Sequence, residues 1–256
     1  MTRAVIIPAR FESSRFPGKP LVELRGPDGV SKSLVQRAWE AGCAAAPAKA
    51  VWIATDDDRI ADAVRAFGGQ VLMTSSACRN GTERCAEALA MLPERPDIVV
   101  NLQGDAPLTP PWFVTDVADA LDAAPAEFGM ATPVLLTDPD ALKNLRDDRK
   151  ADRVGGTTAV FGADMQALYF SKEVLPFAGD PDVPVYHHVG LYAYRPDALE
   201  RYSGWPEGAL EKTEGLEQLR FLEQGEPVLC VKVEARGRVF WELNNPVDIE
   251  RIEAVL

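Results

Sequence analysis

Three short apolar runs set the terms for everything else in this chain. Residues 5–7 (VII), 51–55 (VWIAT) and 70–74 (QVLMT) are rich in β-branched and aliphatic side chains, the composition of buried strands. Between them lie two helical patterns. The first covers about 34–46 and can be capped by Ser31 or Ser33. The second carries its apolar stripe on Ile60, Ala63, Val64 and Phe67 and is stopped by Gly68 and Gly69. Strand, helix, strand, helix, strand predicts an α/β fold with a parallel sheet and helices on its faces. Residues 97–102 (DIVVNL) read as a fourth strand.

The loop after the first strand points to chemistry. Pro8 cannot donate to a ladder, so the strand ends there. Arg10, Ser13, Ser14, Arg15, Gly18 and Lys19 come next, in a chain whose net charge is −12. A loop with such cations and hydroxyls at the carboxyl end of a first strand suits a phosphate group. The loop after the third strand adds Arg79 and Arg84 to the same sheet edge, with Asn80-Gly81 as a turn and Thr82 as cap of a helix over 83–92. Asp56, Asp57 and Asp58 sit at a helix start, where carboxylates favour the dipole, and read as a cap. The fourth strand runs into Gln103-Gly104-Asp105. On the residues alone Asp105 fits either a ligand for nucleotide-borne Mg²⁺ or a local turn.

Downstream the pattern continues. Helices are expected over 110–124, from Pro196, over 208–224 and over 247–255. Strands are expected over 129–135, 167–170, 186–195, 228–233 and 239–243, with an edge strand over 157–161. The charged stretch 138–153 reads as a helix or an excursion from the sheet. With no repeat or long linker, 1–256 reads as one domain with an inserted lobe at roughly 163–225.

Composition excludes several classes. An acidic surface argues against nucleic acid as partner, because phosphate backbones need clustered Lys and Arg. No apolar run reaches the roughly 18 residues of a membrane span. The N-terminus enters a strand with no signal-peptide pattern, and Cys43, Cys78, Cys85 and Cys230 lack CxxC spacing, so a cytoplasmic protein with reduced thiols is expected. Cysteine or serine nucleophile chemistry would need His187 or His188 as base, and no GxSxG elbow accompanies them.

In order along the chain stand IIPARFESSRFPGKPL, ATDDDRI, GTER, VVNLQGDAPL, ALYFSK, HHVGLYAYR and GLEQLRFLEQG. Together they resemble the 3-deoxy-manno-octulosonate (Kdo) cytidylyltransferases, over nearly the whole length. The resemblance implies a Rossmann-like nucleotidyltransferase fold, mostly parallel with helices on both faces, and a smaller lobe for acceptor binding and homodimer formation. It implies Mg²⁺-assisted attack of a sugar-acid oxygen on the α-phosphate of CTP, releasing pyrophosphate. Arg10, Lys19 and Asp105 would be catalytic, with Asp105 and Asn244 at the metal. Nucleotide contacts would come from Ala9, Arg10, Ser14, Lys19, Thr74, Arg79, Thr82, Arg84 and Gln103. The acidic acceptor would meet Lys172, His188, Tyr192, Glu217 and Gln218.

Some positions depart from the family's pattern. His187 stands for an Arg, Lys172 for the Arg of YFSR, Ala106 for the Glu of QGDEP, and Asn244 for an Asp, which removes one negative charge from the metal site. Lysine does not replace the two-pronged grip of arginine on a carboxylate. These departures point to an acceptor related to Kdo: an amino- or otherwise modified octulosonate, another sugar acid, or a phosphonate. A nucleotide-binding module without turnover, and a transferase using another nucleotide such as UTP, are the competing readings.

Overall fold

The computed structural model describes residues 1–12, 16–152, 156–177, 183–243 and 245–256. The chain begins with β1 (Arg3–Ala9) and a short 3-10 turn at Lys19–Leu21. A small hairpin of β2 (Glu23–Arg25) and β3 (Ser31–Ser33) comes next. Ser33 caps α1 (Leu34–Ala45) by accepting from Gln36 N–H. The alternation then runs β4 (Val51–Thr55), α2 (Asp58–Ala66), β5 (Gln70–Met73), α3 (Gly81–Leu89), β6 (Ile98–Leu102), α4 (Pro111–Ala123) and β7 (Met130–Leu136). Asp57 caps α2, as an acidic cap should. The cap of α3 is Asn80, not Thr82. Asn80 Oδ1 accepts from Glu83 N–H at 2.8 Å, so Thr82 falls inside the first turn.

The charged stretch after β7 forms α5 (Pro139–Lys150), capped by Asp138. Then come β8 (Thr157–Phe161), β9 (Ala167–Ser171), β10 (Tyr186–His188), β11 (Leu191–Tyr194) and α6 (Pro196–Gly204). The chain ends with α7 (Ala209–Glu214), α8 (Leu219–Glu223), β12 (Val228–Val233) and α9 (Asp248–Glu253). Three expectations change. The strand over 186–195 is two strands, parted at Val189-Gly190. The helix over 208–224 is also two, because Gly215 adopts a left-handed conformation (φ 62°) that ends α7. Residues 239–243 form no strand.

One mixed sheet holds the molecule, in the order β5-β4-β1-β6-β11-β7-β10-β8-β9, with β12 on the other side of β7. Strands β5, β4, β1, β6, β7, β12 and β8 run one way, and β11, β10 and β9 run against them. Strand β8 therefore lies inside β9, not at the edge. The stretch 163–225 gives β9, β10 and β11 to this same sheet. Helices cover both faces. Val5 and Ile7 of β1 face the core shared with α1, α2 and α4, while Ile6 faces the core shared with α3, α6 and α8. The alternation of side chains along a strand makes this division. Strand order reverses at β1 and β6, and in such folds ligands bind beyond the carboxyl ends of the strands at that switch.

Candidate active site

A cavity of about 440 Å³ opens at that point. Its floor is made where the chain leaves β1 and β6. Gly104 allows the two exits to touch, since a Cβ there would come within 2.7 Å of the Pro8 carbonyl oxygen. Ala9, Arg10, Lys19, Gln103 and Asp105 line this side, with Arg79 and Arg84 from the α3 end. Lys19 Nζ donates to Asp105 Oδ2 at 2.7 Å, and both side chains are partly exposed. Arg84 is almost fully buried. It donates to Thr74 Oγ1 at 2.6 Å and lies 3.3 Å from Asp56 Oδ1, so Thr74 reaches the cavity only through Arg84. Asp56, read from sequence as part of a cap, thus serves as the partner of a cavity cation.

The opposite wall carries Tyr192, Glu217 and Gln218. Tyr192 comes from β11. Glu217 and Gln218 come from the turn that Gly215 opens between α7 and α8. On an unbroken helix they would lie on a face that the sequence marks as solvated. Glu217 bridges the two walls: it accepts from Thr82 N–H at 2.9 Å and from Gln103 Nε2 at 3.2 Å. It borders the cavity yet is densely surrounded by protein, and burial pushes its carboxyl above the usual range against the Thr82 bond. Burial, and next Glu217, likewise hold the Tyr192 phenol far above its ordinary value, so it stays protonated.

Other residues singled out from the sequence stand further back. Thr82 Oγ1 is occupied by Tyr194 Oη at 2.8 Å. His188 is buried and does not line the cavity; it stands behind Gln218, and its ring lies 5.6 Å from that of Tyr192. Lys172 sits beside the wall, its Nζ 2.9 Å from where a Cβ on Gly215 would stand. His187 turns to the other face of β10, against Gly156 and Phe240, because neighbours in a strand point opposite ways. Its difference from the family pattern therefore does not touch this cavity. Ser14 and Asn244 lie outside the described residues.

Sequence reasoning overlooked a buried ionic cluster behind the wall. Arg220 grips Glu211 with two bonds of 2.6 Å, donates to Glu83 Oε1 at 3.0 Å and lies over the Tyr202 ring at 4.2 Å. Glu83 in turn holds Arg79. Burial raises the Glu83 carboxyl, but bonds from Arg79 and Arg220 outweigh it and bring it below the ordinary value. The cluster ties α3 to α7 and α8. No local signal marks it, since Glu211 and Arg220 meet only across the break at Gly215. Cys78 also borders the cavity. Burial and a bond to Glu87 push its thiol up to about 12, which disqualifies it as a nucleophile.

Among the described residues no group of three His, Cys, Asp or Glu could cage a metal ion. Mg²⁺ that arrives with a nucleotide needs only one or two carboxylates, the rest being phosphates and water. Asp105 at the cavity floor is a carboxylate of the kind such an ion uses.

A switch-point cavity with cations on one wall and Tyr192, Glu217 and Gln218 on the other suits an α/β nucleotidyltransferase. Comparison with known proteins gives the family. Residues 4–231 match the family model described as Cytidylyltransferase. The chain is 44% identical to the 3-deoxy-manno-octulosonate cytidylyltransferase of Maricaulis maris, covering 100% of this chain and 97% of the relative. It is 40% identical to the 8-amino-3,8-dideoxy-manno-octulosonate cytidylyltransferase of Shewanella piezotolerans, covering 100% and 99%. Among solved structures, it superposes on CMP:2-keto-3-deoxy-manno-octonic acid synthetase complexed with CTP. That match has a TM-score of 0.84 and 32% identity, over 99% of this chain and 98% of the other. This chain belongs to the cytidylyltransferase family.

Proposed function

We propose that the enzyme transfers CMP from CTP to the hydroxyl of Kdo or a Kdo-like sugar acid, releasing pyrophosphate. The observation that carries this reading is the two-walled cavity. A cationic wall of Arg10, Lys19 and Arg84 faces Tyr192, Glu217 and Gln218 across the Gln103-Gly104-Asp105 floor. The triphosphate belongs on the cationic side. Arg10 and Lys19 neutralise charge on the α-phosphate and the departing pyrophosphate, the kind of stabilisation that dominates such transfers. Lys19 is already aimed at the floor by Asp105. Gln103 is held by Glu217 and so presents its amide at a fixed angle to the nucleotide. Arg84, anchored by Thr74 and Asp56, adds a cation that does not move. Asp105, with Asn244, would hold Mg²⁺, which when bound supplies charge neutralisation at the phosphates and lowers the pKa of an adjacent hydroxyl.

The acceptor enters beside Tyr192 and Gln218, with Lys172 close behind Gly215 as a cation for its carboxylate. The relatives named for Kdo and for its 8-amino analogue support an octulosonate acceptor. The His187 difference no longer argues for another acid, since that side chain faces away; the Lys172 difference does. The stretch 163–225 is the acceptor and dimerisation lobe on this reading, and it carries the exposed apolar side chains Leu168 and Phe177. No described helix is long and apolar enough to cross a membrane, which fits a cytoplasmic enzyme.

A coupled pyrophosphate-release assay with CTP and Mg²⁺ tests the reading, run over Kdo, its 8-amino analogue and a small phosphonate. An octulosonate should lead in kcat/KM. A phosphonate ahead of both by about an order of magnitude, or no release with any acceptor, would overturn it.

A further inference from the structure

Behind the acceptor wall a line of buried hydrogen bonds runs into the sheet. Tyr192 Oη lies 3.2 Å from Gln218 Oε1, and Gln218 Nε2 lies 3.5 Å from His188 Nδ1. His188 Nε2 lies 2.9 Å from Thr132 Oγ1, on β7. Thr132 Oγ1 is in turn 2.9 Å from the Leu191 carbonyl oxygen and 3.4 Å from that of Val189. Thr132, His188, Tyr192 and Gln218 are all buried, with Thr132 at 0% exposure and Gln218 at 1%.

The direction of every proton is set by Thr132. A hydroxyl has one proton, and a carbonyl oxygen can only accept. Thr132 therefore donates to Leu191 and can only accept from His188. That places the imidazole proton on Nε2 and leaves Nδ1 as a lone pair. A lone pair there requires the Gln218 nitrogen beside it, which turns Oε1 toward Tyr192. Tyr192 must then donate to Gln218. Burial, and then the neighbouring His187, push the His188 imidazole down to about 3, so it stays neutral and keeps one tautomer at working pH.

We propose that Thr132 is a positioning residue for the acceptor. By ordering the protons along Thr132, His188, Gln218 and Tyr192, it leaves a Tyr192 oxygen lone pair and the second Gln218 N–H to meet the acid and its hydroxyls at the cavity wall. The assignment of these groups to the acceptor rests on the proposed cytidylyltransfer; the proton order does not. His188 then acts through Gln218 and not by touching the acceptor.

Two measurements on the full chain test this. Nitrogen-15 NMR of His188 without ligands should show the Nε2–H tautomer in the parent and in Thr132→Ser, and loss of that single tautomer in Thr132→Val. In the pyrophosphate assay, Thr132→Val should raise the acceptor KM about tenfold, the worth of one hydrogen bond to a charged group, while the KM for CTP stays unchanged. Thr132→Ser should restore it. An Nδ1–H tautomer in the parent overturns the proposal even if Thr132→Val does not fold. So does an unchanged acceptor KM in Thr132→Val, or a Thr132→Ser protein that behaves like Thr132→Val. Absence of turnover with every sugar acid would instead reject the proposed function and leave the tautomer result to be read by itself.

Discussion

Lys19 of the first loop and Asp105 at the exit of β6 meet directly, at 2.7 Å across the cavity floor. Both are partly exposed, so the pair adds little to stability. Its value lies in where it keeps a cation and a carboxylate. Lys19→Ala and Asp105→Ala are accordingly expected to melt close to the parent yet lose about a hundredfold or more in kcat/KM. Variants within about threefold of the parent would remove both from the proposed roles. His188 makes a different demand at the same scale. Its imidazole is held down to about 3 by burial, against an ordinary 6.5. Below 6.5 the unfolded chain takes up a proton that the folded one refuses. The stability present at neutral pH is therefore lost as pH falls from 6.5 toward 3, by about 1.4 kcal/mol per pH unit. Thermal unfolding followed from pH 7 to pH 5 should fall less steeply for His188→Gln than for the parent. Equal slopes would mean that His188 is not the group that resists protonation.

The break at Gly215 shows how a single backbone conformation decides where the side chains after it point. Were 208–224 one helix, Glu217 and Gln218 would follow its polar face into solvent; because α7 stops, they turn into the cavity. Gly215→Val is expected to cost roughly 1–3 kcal/mol, since its φ of 62° is strained for a branched side chain and its Cβ meets Lys172 Nζ. Calorimetry should show a lower Tm, and kinetics a higher acceptor KM with the CTP KM spared; a change confined to CTP would contradict the division of the walls. The same break marks where sequence stops being legible. Strands β1, β4 and β6 announce themselves, because a strand buried on both faces is a continuous apolar run, and the edge strand β5 follows from the helix and glycines before it. Asp57 as a cap and Ser33 as a cap are local signals too. The wall proposed for the acceptor is built from interruptions. Gly190 divides β10 from β11 so that one can pair β8 and the other β6, and Gly215 divides α7 from α8. Neither glycine differs locally from one tolerated inside an element. The Arg220–Glu211–Glu83 cluster and the Thr132 chain depend on contacts between distant segments, so no window of sequence contains them.

At the scale of the molecule, the walls proposed for the nucleotide and for the acceptor face each other across one cavity at the switch point of the sheet. CTP should therefore act on the fold as a whole. With Mg²⁺ present and CTP at about 100 times its Kd, stabilisation of roughly 2.7 kcal/mol is expected, visible as a rise in Tm that UTP at equal concentration does not match. Equal shifts from the two nucleotides would reject selection for cytosine. The two sides meet through β11, which pairs with β6 over Leu191–Tyr194 and with the start of β7. That arrangement bears on how the protein is made. As the chain leaves a ribosome, β1, β4, β5 and β6 can assemble early, but the outer edge of β6 has no partner until Leu191 has been synthesised. For that interval the nascent protein carries an apolar strand with open hydrogen-bonding groups, a surface on which a second nascent chain could pair. The keystone of the finished sheet is thus the last piece of its centre to arrive, and until then β6 is the open edge of the nascent sheet.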